Sequence, residues 1–142
     1  MQSKSVRILL VDDDDVDAMA VERGFRQAKI ANELVRARDG LEALGILRGQ
    51  GAGGVLEKPY IIFLDLNMPR MGGFEFLKEL RSDPQLAQDV VFVLTTSKAD
   101  EDRSRAYDQF VAGYVVKAQA GKEFLSLIEM IDHYWRVVEL PF

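Results

Sequence analysis

The residues of this chain best suited to chemistry occupy four separated positions: the run Asp12-Asp13-Asp14-Asp15, then Asp65, Thr95 and Lys117. Each follows or closes a short apolar run, namely Ile8 to Val11, Ile61 to Leu64, Val90 to Leu94 and Tyr114 to Val116. If those runs are parallel strands, the four positions share the carboxyl edge of one sheet, where open α/β sheets bind their ligands. A carboxylate at a strand end can attack phosphorus and form an acyl phosphate. Neighbouring carboxylates and the anionic phosphoryl group oppose that step. At about 4 Å and an effective dielectric near 20, each like-charge pair costs about 4 kcal/mol. A divalent cation offsets both repulsions, and Mg²⁺ takes oxygen ligands, commonly one or two carboxylates plus phosphate. Asp12 and Asp13 are placed to help hold it if the first strand neighbours the third. Lys117 supplies a compact positive charge for a phosphoryl oxygen. Thr95 supplies a hydroxyl from a neighbouring strand end, and a phosphorylated Asp65 would draw both groups toward it, a switch built from local electrostatics.

The elements that must position these groups are legible from periodicity. Val6 to Val11 is apolar except for Arg7, the pattern of a strand covered on both faces. Ala20, Val21, Gly24, Phe25 and Ala28 recur at helical spacing. Leu34-Val35 is a short strand candidate, and Gly40 precedes a helical stretch with Leu41, Leu44 and Leu47 on one side. Gly49 to Pro59 has four glycines and a proline and no periodicity, which reads as a surface insertion. Tyr60 to Leu64 is the strongest strand, and Asn67-Met68-Pro69 with Gly72-Gly73 forms the loop after it. A helix over Phe74 to Arg81 stops at Asp83-Pro84. A strand over Val90 to Leu94, a polar helix over Asp100 to Phe110, a strand over Gly113 to Val116 and a helix over Lys122 to Val138 complete the chain. The last helix carries Phe124, Ile128, Ile131 and Trp135 as its apolar stripe. Strand and helix alternate five times, which argues for a parallel sheet with helices on both faces. At this size the expected fold is α/β and flavodoxin-like, five strands in the order 2-1-3-4-5.

The 142 residues suit one domain, 1–142, and the 48% hydrophobic content suffices for a core. A net charge of -5 argues against a generic nucleic-acid or anionic-membrane surface. No cysteine is present, so there is no disulfide framework and no thiolate site. The polar start, Met1 to Ser5, lacks the apolar core of a signal peptide, and no apolar stretch approaches a membrane span. The expectation is a cytoplasmic domain that contacts neither nucleic acid nor membrane.

Taken together, Leu9-Leu10-Val11-Asp12-Asp13, Leu64-Asp65-Leu66-Asn67-Met68-Pro69 with Gly73, Leu94-Thr95-Thr96-Ser97 and Gly113-Tyr114-Val115-Val116-Lys117 resemble the receiver domain of bacterial response regulators. The resemblance runs from about Val6 to Trp135 and includes the intervals from Asp65 to Thr95 and from Thr95 to Lys117. It implies that a sensor histidine kinase phosphorylates Asp65 with Mg²⁺. It further implies that Asp13 ligates the ion directly, Asp12 through water, and Asn67 through its backbone carbonyl. Thr95 would be the switch hydroxyl and Tyr114 the aromatic that follows it, with Asn67 and Ser97 tuning the phosphoryl lifetime. Ala118 departs from the family, which usually has proline after the lysine, often with a cis bond. A non-proline cis bond costs about 2.5–4 kcal/mol, so a trans bond is expected here.

The apolar ending, Tyr134 to Phe142, and the Gly-rich insertion are similar to small receivers paired with bacterial phytochrome kinases. In that subgroup the last helix and tail, here 122–142, contribute to a homodimer. Asp14, Asp15 and Asp17 read as a solvated, helix-capping turn, and His133, the single histidine, as an ordinary helix residue. The resulting expectation is a stand-alone response regulator that acts only on its own phosphorylation state and signals through protein contact or dimerisation. Two rivals stand beside it. One is a scaffold independent of phosphorylation. The other is a Mg²⁺-dependent phosphatase with an aspartyl nucleophile. Such enzymes place a general-acid Asp two residues on, where this chain has Asn67, which cannot shuttle a proton in that way.

Overall fold

The computed structural model describes residues 6–27, 32–50, 56–68, 70–116, 129–130, 133–134 and 137. Five strands, β1 (Arg7–Val11), β2 (Leu34–Ala37), β3 (Tyr60–Leu64), β4 (Val90–Thr95) and β5 (Gly113–Val116), form one sheet in the order β2-β1-β3-β4-β5. Every neighbouring pair is parallel. Among the described residues, α1 (Asp15–Gln27), α2 (Gly40–Leu47), α3 (Gly73–Ser82) and α4 (Asp100–Asp108) connect them. The expected α/β flavodoxin-like order is the observed one.

Alternation along the strands divides the core in two. Leu9, Val11, Ile62, Leu64, Val91 and Val93 face Leu44 and Leu47 of α2, Phe76, Leu77 and Leu80 of α3, and Ala106 of α4. Ile8, Leu10, Ile61, Phe63, Phe92 and Leu94 face Ala18, Val21 and Phe25 of α1. Burial of a Leu, Ile, Val or Phe side chain stabilises by about 1.5–3 kcal/mol, so both faces hold the sheet firmly. On the α1 face Phe25, Phe63, Phe92 and Tyr134 form a chain of rings with centroids 5.6–6.2 Å apart. The described residues 129–130, 133–134 and 137 are helical, and Tyr134 packs on that face. The stripe expected of the last helix, Phe124, Ile128, Ile131 and Trp135, lies outside the described residues, as do Ala118 and the segment's end.

Two departures have local causes. The helix expected over Asp100 to Phe110 ends at Asp108, and Phe110 adopts φ 60. Arg81 holds this turn by donating to Gln109 O at 2.7 Å and Phe110 O at 3.1 Å, and it also donates to the carbonyls of Ala87 and Asp89. The expected surface insertion sends one side chain inward: Leu56 is buried in the core of the α2–α3 face. The end of α2 follows a glycine cap. Gly49 takes φ 72, its N–H donates to Ile46 O at 3.3 Å, and Gln50 N–H donates to Gly45 O at 2.8 Å. Among the described residues no helix is long and apolar enough to cross a membrane.

Candidate phosphoacceptor and cation site

Two adjacent strands, β1 and β3, bring the acidic positions together. β1 lies between β2 and β3, and Val11 pairs with Leu64, so the residues that follow them emerge side by side. Asp65 N–H donates to Val11 O at 2.9 Å, which continues the ladder one step past β3. Asp12, Asp13 and Asp65 thereby converge, with one carboxylate oxygen from each within 4.8 Å of the others. Asp12 and Asp65 are buried, at 1% and 7% exposure, and Asp13 is exposed. A hard divalent cation fits such an all-oxygen donor set, open on one side.

The four consecutive aspartates have different surroundings. Asp12 Oδ1 accepts Asp14 N–H at 3.0 Å. Asp14 Oδ1 accepts the N–H groups of Val16 at 2.9 Å and Asp17 at 3.1 Å, so Asp14 caps α1. Asp15 pairs with Arg36 at 2.6 Å and Arg38 at 3.1 Å. The Arg36 hydrogen bond, then the charge of Arg38, holds its carboxyl below the usual range. Only Asp12 and Asp13 of the run join the cluster with Asp65.

Around this centre, Asn67 is exposed and its N–H donates to Asp65 Oδ1 at 3.4 Å. Thr95 closes β4 at 0% exposure, on the strand next to β3. Its Oγ1 accepts Ser97 N–H at 3.4 Å. The Ser97 hydroxyl donates to Asp102 at 2.5 Å, and Tyr114, half-buried on β5, donates to Ser97 O at 3.0 Å. Lys117 lies outside the described residues, directly after β5. The β3–α3 loop is tied down independently. Asp39 caps α2 by accepting Glu42 N–H at 2.9 Å and also accepts Arg70 Nε at 2.6 Å, while Gly40 N–H donates to Met71 O.

Sequence reasoning missed Arg36, Asp102 and the Asp39–Arg70 pair. Arg36 alternates with apolar neighbours on an edge strand, which marks it as polar-facing and names no partner. Asp102 stands among other acidic residues of a polar helix and carries no distinguishing signal.

Comparison with known proteins agrees with this geometry. Residues 8–129 match the family described as response regulator receiver domain. The chain is 36% identical over 135 residues to the response regulator Rcp1 of Synechocystis sp., covering 94% of this chain and 92% of that protein. The solved structure of the Mn²⁺-bound form of Rcp1 superposes with a TM-score of 0.82 at 34% identity, covering 96% of this chain and 99% of that one. That of the phosphorylated cyanobacterial phytochrome response regulator RcpA superposes with a TM-score of 0.86 at 32% identity, covering 98% and 100%. With the sheet order, the acidic cluster and these matches in agreement, the chain belongs to the response regulator receiver domain family.

Proposed function

We propose that this protein is a phosphoacceptor: a sensor histidine kinase transfers a phosphoryl group to Asp65, and the change passes to a partner protein by contact. One observation carries the reading, the convergence of Asp12, Asp13 and Asp65 at the carboxyl edge of the sheet. An Asp65 carboxylate oxygen attacks phosphorus, the bond from phosphorus to the donor breaks, and the donor leaves with its electron pair. Mg²⁺ held by Asp12, Asp13, Asp65 and the Asn67 carbonyl would neutralise charge on the transferring group. Thr95 and Lys117 would bind phosphoryl oxygens, and Tyr114 would follow Thr95. Asn67 and Ser97, beside the acceptor and the switch hydroxyl, would set how long the acyl phosphate survives. The protein acts on no substrate other than itself.

The similarity to RcpA, a cyanobacterial phytochrome response regulator, supports a phytochrome-type kinase as the donor, and with it a cytoplasmic setting. The apolar segment 122–142 is assigned, on its sequence, to a homodimer contact. Light scattering of the full chain beside Trp135→Glu tests that assignment, with a monomeric wild type counting against it.

The acceptor reading is tested by incubation with acetyl phosphate and Mg²⁺, read by intact mass. One phosphoryl adduct is expected, absent in Asp65→Asn and without the metal. An adduct that persists in Asp65→Asn would move the acceptor elsewhere. Absence of an adduct from both acetyl phosphate and a phosphorylated phytochrome kinase would favour a scaffold role.

A further inference from the structure

Arg36 stands on β2, outside the acidic cluster, yet makes three hydrogen bonds to the run that builds it. Its Nε and Nη2 donate to the Asp12 carbonyl at 3.1 and 3.0 Å, and its Nη1 donates to Asp15 Oδ1 at 2.6 Å. Asp12 N–H donates in turn to Ala37 O at 3.0 Å. Both backbone polar groups of Asp12 are therefore held by two successive residues of β2. Its side chain is fixed from within the run by Asp14 N–H. The guanidinium spans the run from Asp12 to Asp15, and Asp13 lies between these anchors along the chain.

A positive charge at this place has two opposite effects on a cation. It repels the ion, and it fixes the carboxylates that would ligate it. The repulsion is blunted here, because Asp15 takes up much of the Arg36 charge at 2.6 Å and is itself shared with Arg38. Orientation, by contrast, depends on the planar fork. A lysine ammonium cannot place two donors on one carbonyl and a third on a separate carboxylate with the same fixed geometry.

We propose that Arg36 is a positioning residue for the divalent cation: by clamping the Asp12 carbonyl and Asp15 together, it holds Asp12 and Asp13 in the arrangement that meets Asp65. This rests on the cation site described above. Groups that orient metal ligands typically contribute about 10- to 100-fold in affinity.

The test is Mn²⁺ binding to the full chain, followed by loss of the free-ion EPR signal, for wild type, Arg36→Lys and Arg36→Met. Unfolding in EDTA serves as the fold control. Both variants should bind Mn²⁺ about tenfold more weakly. The deficit should persist at about 1 M salt, where the screening length falls to about 3 Å and through-space charge effects fade. In acetyl phosphate reactions the Mg²⁺ concentration for half-maximal rate should rise similarly, while the rate at saturating Mg²⁺ stays near wild type. Equal or tighter binding by Arg36→Met would make Arg36 a repulsive neighbour and overturn the proposal. Wild-type affinity in Arg36→Lys would overturn it too, because charge alone would then suffice. No Mn²⁺ binding by wild type would instead remove the cation site itself, and the proposal with it.

Discussion

The Tyr114 hydroxyl donates to the backbone carbonyl of Ser97 across 3.0 Å, joining β5 to the loop that leaves β4. The Ser97 hydroxyl meanwhile donates to Asp102 in the first turn of α4. The segment after Thr95 is thus held from two sides, and any movement of Thr95 toward Asp65 has to work against both ties. Tyr114→Phe should lower stability in urea by about 1 kcal/mol, the usual net value of one hydrogen bond. The loss should shrink when acetyl phosphate and Mg²⁺ are present, if the hydroxyl leaves Ser97 on phosphorylation. An equal loss in both states would mean that the bond survives.

Two glycines should respond differently to the same substitution. A Cβ on Gly73 would lie 2.6 Å from Leu66 Cα and 2.7 Å from Asp65 O, both backbone atoms of the acceptor segment. A Cβ on Gly40 would meet the flexible Met71 side chain at 2.8 Å, with the Cβ of Phe76 at 3.0 Å. Gly73→Ala should destabilise by about 1–3 kcal/mol, as overpacking does, and should slow phosphorylation of Asp65. Gly40→Ala should cost less and leave phosphorylation close to wild type. Urea midpoints and acetyl phosphate kinetics for the pair decide this.

Removing charge from the cluster should have opposite effects with and without metal. In EDTA, Asp13→Asn should stabilise by up to about 1 kcal/mol, the scale of a like-charge contact at 4 Å in a water-like dielectric. With Mg²⁺, wild type should gain stability by mass action and the variant should gain less. Thermal unfolding under the two conditions reads both signs. A variant less stable than wild type in EDTA would show that Asp13 has a structural partner outweighing the repulsion.

At the opposite edge of the sheet, the Tyr60 hydroxyl donates to buried Asp89 at 2.5 Å. Burial pushes the Asp89 carboxyl above its ordinary 3.8, although the Tyr60 hydrogen bond, Lys58 and Arg81 pull it down. The folded state therefore holds this proton more tightly than the unfolded chain. That contribution to stability is full below the unfolded value and is lost as pH rises through the folded one. As pH rises above about 4, stability of Asp89→Asn relative to wild type should increase with pH. Tyr60→Phe removes a group that favours the charged carboxylate, so it should steepen the wild-type decline. Urea unfolding across that range measures both slopes, and parallel curves would show that Asp89 does not titrate there.

The pattern of apolar runs determined a great deal. β1, β3 and β4 are continuous enough in Ile, Leu, Val and Phe to be strands covered on both faces, and their alternation with helical periods admits little besides a parallel sheet. Asp12, Asp13, Asp65 and Thr95 were legible as a group because parallel strands deliver their carboxyl ends to one edge. The Asp83-Pro84 stop of α3 followed from backbone chemistry alone. Division of labour within the acidic run was not legible. Identical side chains at Asp12, Asp13, Asp14 and Asp15 differ only in what surrounds them: a helix end at Asp14, two arginines from β2 at Asp15, and Asp65 beside Asp12 and Asp13. Arg36 and the Tyr60–Asp89 pair were hidden for the same reason. Each joins residues far apart in the chain whose local patterns are unremarkable, and the end of α4 depended on Arg81 reaching across from α3. Local periodicity is a property of neighbours along the chain. Which polar groups meet is decided by strand order and crossover, because only the packed sheet brings those distant side chains within hydrogen-bonding reach.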